Sequence, residues 1–165
     1  MILSLTGFMG SGKSTVGRLV ADALGCPFLD LDTLIEKKAG RSIPEIFAEE
    51  GEGGFRALEA QLLADTVKRY AGTTAVLSLG GGALEDPASA RLIHEKTLCI
   101  YLQASPDTIR ERLAGSGTSR QLLSGDWEAL LERRLPTYEK TAHVILDTDG
   151  LSPEQIADEI IIDCL

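Results

Sequence analysis

Gly7-Phe8-Met9-Gly10-Ser11-Gly12-Lys13-Ser14 fits the pattern G-x-x-x-x-G-K-[ST], and what flanks it decides how it is read. Before it stands the apolar run Ile2 to Leu5. After it, Val16, Leu19, Val20, Ala23 and Leu24 recur at helical spacing. Strand, glycine-rich turn and helix in that order are the context in which this pattern cradles phosphate. The glycines let successive backbone N–H groups turn inward around phosphate oxygens, and the helix directs its positive end at the same place. Lys13 then reaches the β and γ phosphates and the Ser14 hydroxyl ligates Mg²⁺, with Gly10, Ser11, Gly12 and Thr15 completing the ATP-binding set. A guanine-reading [NT]-K-x-D sequence is absent, which disfavours a GTPase, and no apolar strand ends in the Asp-Glu pair used by large motor ATPases. A kinase acting on a small molecule fits better, because such kinases place acidic residues after the second strand, facing the acceptor hydroxyl.

Working outward, short apolar runs alternate with longer helical patterns. Ile2 to Leu5, Phe28 to Leu31, Ala75 to Leu79, Leu98 to Leu102 and Val144 to Leu146 read as five parallel strands. Between them lie crossover helices, such as the one carrying Leu58, Leu62, Leu63, Thr66, Val67 and Tyr70. Ser42 with Glu45 and Ser152 with Gln155 form capping boxes, and Pro87, Pro106 and Pro153 occupy first helical positions. The expected fold is a three-layer α/β domain spanning residues 1–165, a five-stranded parallel sheet with helices on both faces. Two segments break the pattern. Glu49 to Gly54, rich in glycine and acid, suggests a bend between two helices. Gly115 to Gly125 is polar, with Arg120 its lone basic residue, and reads as a mobile lid.

Bulk properties narrow the partners. The 165 residues suffice for one core, and 44% hydrophobic with 25% charged residues suits a soluble globular domain. A net charge of −9 argues against nucleic acid or anionic membrane as partner, since either needs a basic field. No apolar run approaches the length of a spanning helix and no secretory leader is evident, so a cytoplasmic protein is expected. Cys26, Cys99 and Cys164 lack ligand spacing and read as small apolar residues of a reducing compartment. His94 and His143 have no metal partner in the sequence pattern, and Trp127 reads as a packing residue.

Asp30 and Asp32 stand two apart at the end of the second strand, so both are expected to project into the phosphate crevice. Alternatively Asp32 caps the next helix and Asp30 is merely exposed. Together with the phosphate loop and this D-x-D, four further features occur in order. These are the F-x-x-x-G-E-x-x-F-R-x-x-E run from Phe47 to Glu59, the Gly80-Gly81-Gly82 triplet, the lid arginine, and R-x-P-x-Y from Arg134 to Tyr138. In that order and spacing the chain resembles the shikimate kinases over nearly all of its length.

The resemblance implies transfer of the ATP γ-phosphoryl group to the 3-hydroxyl of shikimate, giving shikimate 3-phosphate and ADP in aromatic amino acid biosynthesis, by a monomer. It implies that Arg56 and Arg134 bind the shikimate carboxylate, that Asp32 holds the reacting hydroxyl, and that Gly80, Gly81 and Gly82 offer backbone amides to the substrate. The acceptor-binding segment then covers about residues 32–60. Asp30 corresponds to a Mg²⁺-shell aspartate beside Ser14, Arg120 to the lid cation that acts with Lys13, and Arg112 and Pro153 to adenine contacts. On the residues alone, Arg56 could instead pair with Glu59 or Glu52, and Arg134 could be the solvated neighbour of Arg133. Gln121 and Thr137 depart from the residues frequent in the family, and Gly53 and Gly54 soften the start of the helix bearing Arg56. Gluconate, another hydroxylated acid, is the nearest alternative acceptor, and a module that binds nucleotide without turnover is the alternative of another class.

Overall fold

The computed structural model describes residues 1–114 and 125–165. Five strands, β1 (Ile2–Thr6), β2 (Phe28–Asp30), β3 (Ala75–Ser78), β4 (Leu98–Gln103) and β5 (Val144–Asp147), form one parallel sheet in the order β2-β3-β1-β4-β5. The helices that connect and cover them are α1 (Lys13–Leu24), α2 (Leu31–Ala39), α3 (Ile43–Arg69), α4 (Pro87–Lys96), α5 (Pro106–Ala114), α6 (Trp127–Thr141) and α7 (Pro153–Glu159). The α/β layering read from the sequence is the one found.

Every residue of β1 is buried, and alternate side chains feed opposite layers. Leu3 and Leu5 pack with Val16 and Val20 of α1 and Ile156 of α7. On the opposite face, Leu77 of β3 and Cys99 of β4 meet Leu31 and Ile35 of α2, Leu63 and Val67 of α3, and Ile93 of α4. A third cluster joins Phe8, Tyr101, Leu131 and Tyr138 to Trp127, whose ring lies 6.1 Å from Phe8, so Trp127 packs behind the phosphate loop. Ser4, at the centre of the sheet, is satisfied by a buried contact of 2.7 Å with Thr97 Oγ1, which itself donates to the Ile93 carbonyl.

Helix starts follow the sequence signals closely. Ser152 and Gln155 make the reciprocal capping box, and Pro87, Pro106 and Pro153 begin α4, α5 and α7. Ser42 caps α3 by accepting from the Glu45 amide, but its hydroxyl donates to the Glu45 carboxylate, so the second half of the box is replaced by a side-chain contact. The bend expected within Glu49 to Gly54 falls at Gly51, whose φ of 73° and ψ of 179° leave the helical region. Gly53 and Gly54 continue the helix beyond it. Phe47 and Phe55 stack across the break with centroids 4.7 Å apart.

Close packing of α1 on the sheet depends on Gly17. A Cβ there would lie 2.5 Å from the Phe28 ring and 3.3 Å from Leu5. Gly17→Ala should therefore lower stability by about 1–2 kcal/mol, because overpacking outweighs the roughly 1 kcal/mol that alanine gains in a helix. Denaturant unfolding measures the change, and a midpoint at or above wild type would contradict it.

Candidate functional site

The phosphate loop leaves the carboxyl end of β1 and enters α1, between β3 and β4 where the strand order reverses direction, the position at which open α/β sheets bind ligands. Gly7, Gly10 and Gly12 have φ of 147°, 80° and 91°, a curvature other residues rarely adopt. Space is short as well, since a Cβ on Gly7 would stand 2.7 Å from the Leu102 carbonyl oxygen. The buried Ser11 hydroxyl finds no hydrogen-bond partner among the described residues. Lys13 folds back over the loop, donating to the carbonyls of Gly7 at 2.6 Å and Phe8 at 3.0 Å. Its burial lowers the ammonium pKa to about 8, against the opposing pull of Asp32 and Asp30.

A cleft of about 330 Å³ opens beside the loop, lined by Lys13, Ser14, Thr15, Asp30, Asp32 and Gly80 among others. The two aspartates reach it differently from the strand-end arrangement expected. β2 stops at Asp30, and Asp32 lies in the first turn of α2, so they do not share one face of a strand. Asp30 is the cap: its Oδ1 accepts from the amides of Asp32 and Thr33 at 3.0 and 3.3 Å, while Oδ2 accepts from Ser14 Oγ at 2.9 Å. That capping fixes the helix start and so points Asp32 into the cleft. Desolvation, aided by the neighbouring Asp30, raises the Asp32 pKa above the usual carboxylate range.

Gly80 and Gly81 line the cleft, with Gly82 next in chain, between β3 and a 3₁₀ turn at Ala83–Glu85. Each glycine marks a convergence. The point a Gly80 Cβ would occupy is 3.1 Å from Asp32 Oδ1 and 3.2 Å from Glu59 Oε2. At Gly82 it would lie 2.5 Å from an Arg56 nitrogen and 2.8 Å from one of Arg134, so a methyl group there would displace both guanidinium groups. Arg56 donates to Glu59 at 2.7 Å, the helix-surface pairing considered from sequence, yet Glu59 is only 3% exposed and lies beside Gly80. Arg134 is buried with its guanidinium 5.9 Å from the Phe8 ring centroid, and is no solvated neighbour of Arg133.

The sequence-predicted residues Lys13, Ser14, Asp30, Asp32, Arg56, Gly80, Gly81, Gly82 and Arg134 are thus brought together. Arg112 sits at the loop's far side, donating to the Gly10 carbonyl at 3.2 Å and to Thr148, in the segment that leads to Pro153. Pro153 itself is a half-buried first residue of α7. Arg120, Gln121 and most of the expected lid lie outside the described residues. Two contributors went unassigned in the sequence. Tyr138, four residues after Arg134 on one face of α6, donates to the Gly81 carbonyl and pins the triplet, and its helical spacing from Arg134 was the available signal. Glu59, visible as the end of the F-R-x-x-E run, is the counter-charge that holds Arg56. His94 and His143 stack 4.4 Å apart on the surface. No group of three or more metal-ligating His, Cys, Asp or Glu side chains occurs among the described residues. Nor is any described helix long and apolar enough to cross a membrane.

A phosphate loop at the carboxyl end of a parallel sheet, with Asp32 in the cleft beside it and Arg56 and Arg134 meeting at Gly82, has the make-up of a P-loop phosphotransferase. The family model described as shikimate kinase matches residues 9–165. A shikimate kinase of Salinibacter ruber is 49% identical over 163 residues, covering 90% of this chain and 78% of that protein. One from Symbiobacterium thermophilum is 41% identical, covering 98% and 94%. Among solved structures, shikimate kinase from Acinetobacter baumannii in complex with shikimate superposes with a TM-score of 0.84 at 33% identity, over 97% of this chain and 90% of that one. The chain belongs to the shikimate kinase family.

Proposed function

We propose that this protein transfers the γ-phosphoryl group of ATP to the 3-hydroxyl of shikimate. The observation that carries the reading is the meeting of Arg56 and Arg134 at Gly82, with Asp32 near Gly80 two residues away, beside the phosphate loop. Shikimate presents a carboxylate at one end and hydroxyls at the other. The paired guanidinium groups suit the first and Asp32 the second. Held in this way, the acceptor oxygen is aligned with the nucleotide, and Asp32 accepts its hydrogen bond and its proton.

The oxygen donors beside the loop, Ser14 Oγ and Asp30 Oδ2, are hard ligands of the kind that suit Mg²⁺, and these two residues would hold it. When bound, the cation neutralises charge between the β and γ phosphates. Lys13 leaves the carbonyls of Gly7 and Phe8 to meet the γ-phosphate, and Arg120 adds a second positive charge against the transferring group. Arg112 and Pro153 bound the adenine end. A net charge of −9 offers no basic field for nucleic acid or anionic membrane, no described helix is long and apolar enough to cross a membrane, and the reading is of a cytoplasmic monomer.

ADP release measured with shikimate and, separately, with gluconate tests the assignment. Shikimate-dependent release with little response to gluconate is expected. The reverse would make gluconate the acceptor, and no release with either would leave a nucleotide-binding module.

The lowered pKa of Lys13 sets a pH dependence. In the free enzyme Lys13 loses its proton as pH rises through about 8, so kcat/KM for ATP should fall there. Bound phosphates favour the ammonium form, so the alkaline limb of kcat should lie at higher pH. Initial rates between pH 6 and about 10 check this. Coincident alkaline limbs for the two parameters would contradict it.

A further inference from the structure

Glu85 ends the 3₁₀ turn that follows the glycine triplet, and its carboxylate reaches back toward α6. Oε1 lies 3.5 Å from Arg134 Nε and 3.1 Å from a terminal nitrogen of Arg133. Arg134 Nε is buried and finds no hydrogen-bond partner among the described residues, so the Glu85 carboxylate is the charge that steadies it. Arg56 is held otherwise, through its terminal Nη1 by Glu59. The difference has a chemical consequence. A guanidinium whose counter-charge lies on its Nε side is drawn so that its terminal pair points away from that charge, and for Arg134 those nitrogens stand beside Gly81 and Gly82, 3.2 and 2.8 Å from the points their Cβ atoms would occupy.

Two like charges also converge on Gly82 before any anion arrives, and each needs an acid behind it to remain there. Glu59 supplies one for Arg56 and Glu85 one for Arg134. We infer that Glu85 is a positioning residue for acceptor recognition: it orients Arg134 so that the terminal nitrogens of this arginine meet the acceptor carboxylate beside those of Arg56.

The inference rests on the shikimate reading above, and its sign separates it from simple charge balance. Removing a carboxylate near an anion site should tighten anion binding if Glu85 merely repels the acceptor. It should weaken binding if Glu85 positions Arg134. Glu85→Gln is expected to raise the shikimate KM, and the dissociation constant from calorimetry, about ten-fold. kcat and the KM for ATP should stay within about two-fold, since the contact serves binding equally in ground and transition states. In an Arg134→Ala background the same substitution should have no further effect on shikimate binding, because the group it orients is gone. A tighter or unchanged shikimate KM in Glu85→Gln, or an equal loss with and without Arg134, would overturn the inference while leaving the function intact. Wild-type protein that turns over no shikimate would overturn both. Thermal melting of each variant separates a binding loss from a folding defect.

Discussion

Lys13→Ala should lower kcat by about a thousand-fold, the scale set by removing one preorganised charge from a phosphoryl- or acyl-transfer site. The ammonium is already inside the site, bound to the carbonyls of Gly7 and Phe8, and needs only a short movement to reach a γ-phosphate. The electrostatic stabilisation is therefore largely prepared before the nucleotide arrives. The loop's curvature comes from Gly7, Gly10 and Gly12, so far-UV circular dichroism and the melting midpoint should remain near wild type. A coupled assay for ADP measures the rate, and turnover within ten-fold of wild type would contradict the role.

Asp32→Asn should reduce kcat by about a hundred- to ten-thousand-fold, the range of general-base catalysis, with the ATP KM little changed. The amide keeps the shape and can still touch the hydroxyl, but it cannot take the proton. Stability should respond in the opposite direction. The folded-state pKa of Asp32 is raised, so the unfolded chain loses this proton first, and stability falls as pH climbs from the ordinary carboxylate value through the raised one. Above that window the buried anion is a burden that asparagine lacks. At neutral pH the variant should melt no lower than wild type while being nearly inactive. A large loss of stability without loss of turnover would reverse the assignment.

Most of the fold was legible because its signals are local. Ile2 to Leu5 before the glycine loop, helical periodicity after it, and proline at three helix starts each depend on neighbours in sequence. Asp30 and Asp32 were found, but their geometry was misread, because Phe28 to Leu31, apolar apart from Asp30, reads as a strand to its end. What ends it is a capping contact from Asp30 to the amides of Asp32 and Thr33, which an Asp at a strand end signals only weakly. The pairing of Arg56 with Glu59 was visible as a three-residue spacing, although whether it faced solvent or substrate was not. Glu85 and Arg134 come from different elements, and no pattern in the chain announces that they meet. The arginines' roles were carried by family resemblance; Arg134 is buried and Arg56 half-buried, so neither is the fully solvated residue that the sequence alone allowed.

The break at Gly51 has a mechanical consequence. A continuous helix from Ile43 to Arg69 would transmit any tilt at its outer end directly to Arg56, as a stiff rod does. Here the hydrogen-bonded ladder is interrupted five residues before Arg56, and the outer portion is coupled to the inner one partly through the Phe47–Phe55 ring stack. Stacked rings slide with less resistance than a helix bends. The outer segment Ile43 to Glu50 is thereby partly isolated from the one bearing Arg56, as a compliant joint isolates a tool from the arm that carries it. A displacement along Ile43 to Glu50 can be absorbed there without dragging the Arg56–Glu59 pair out of line.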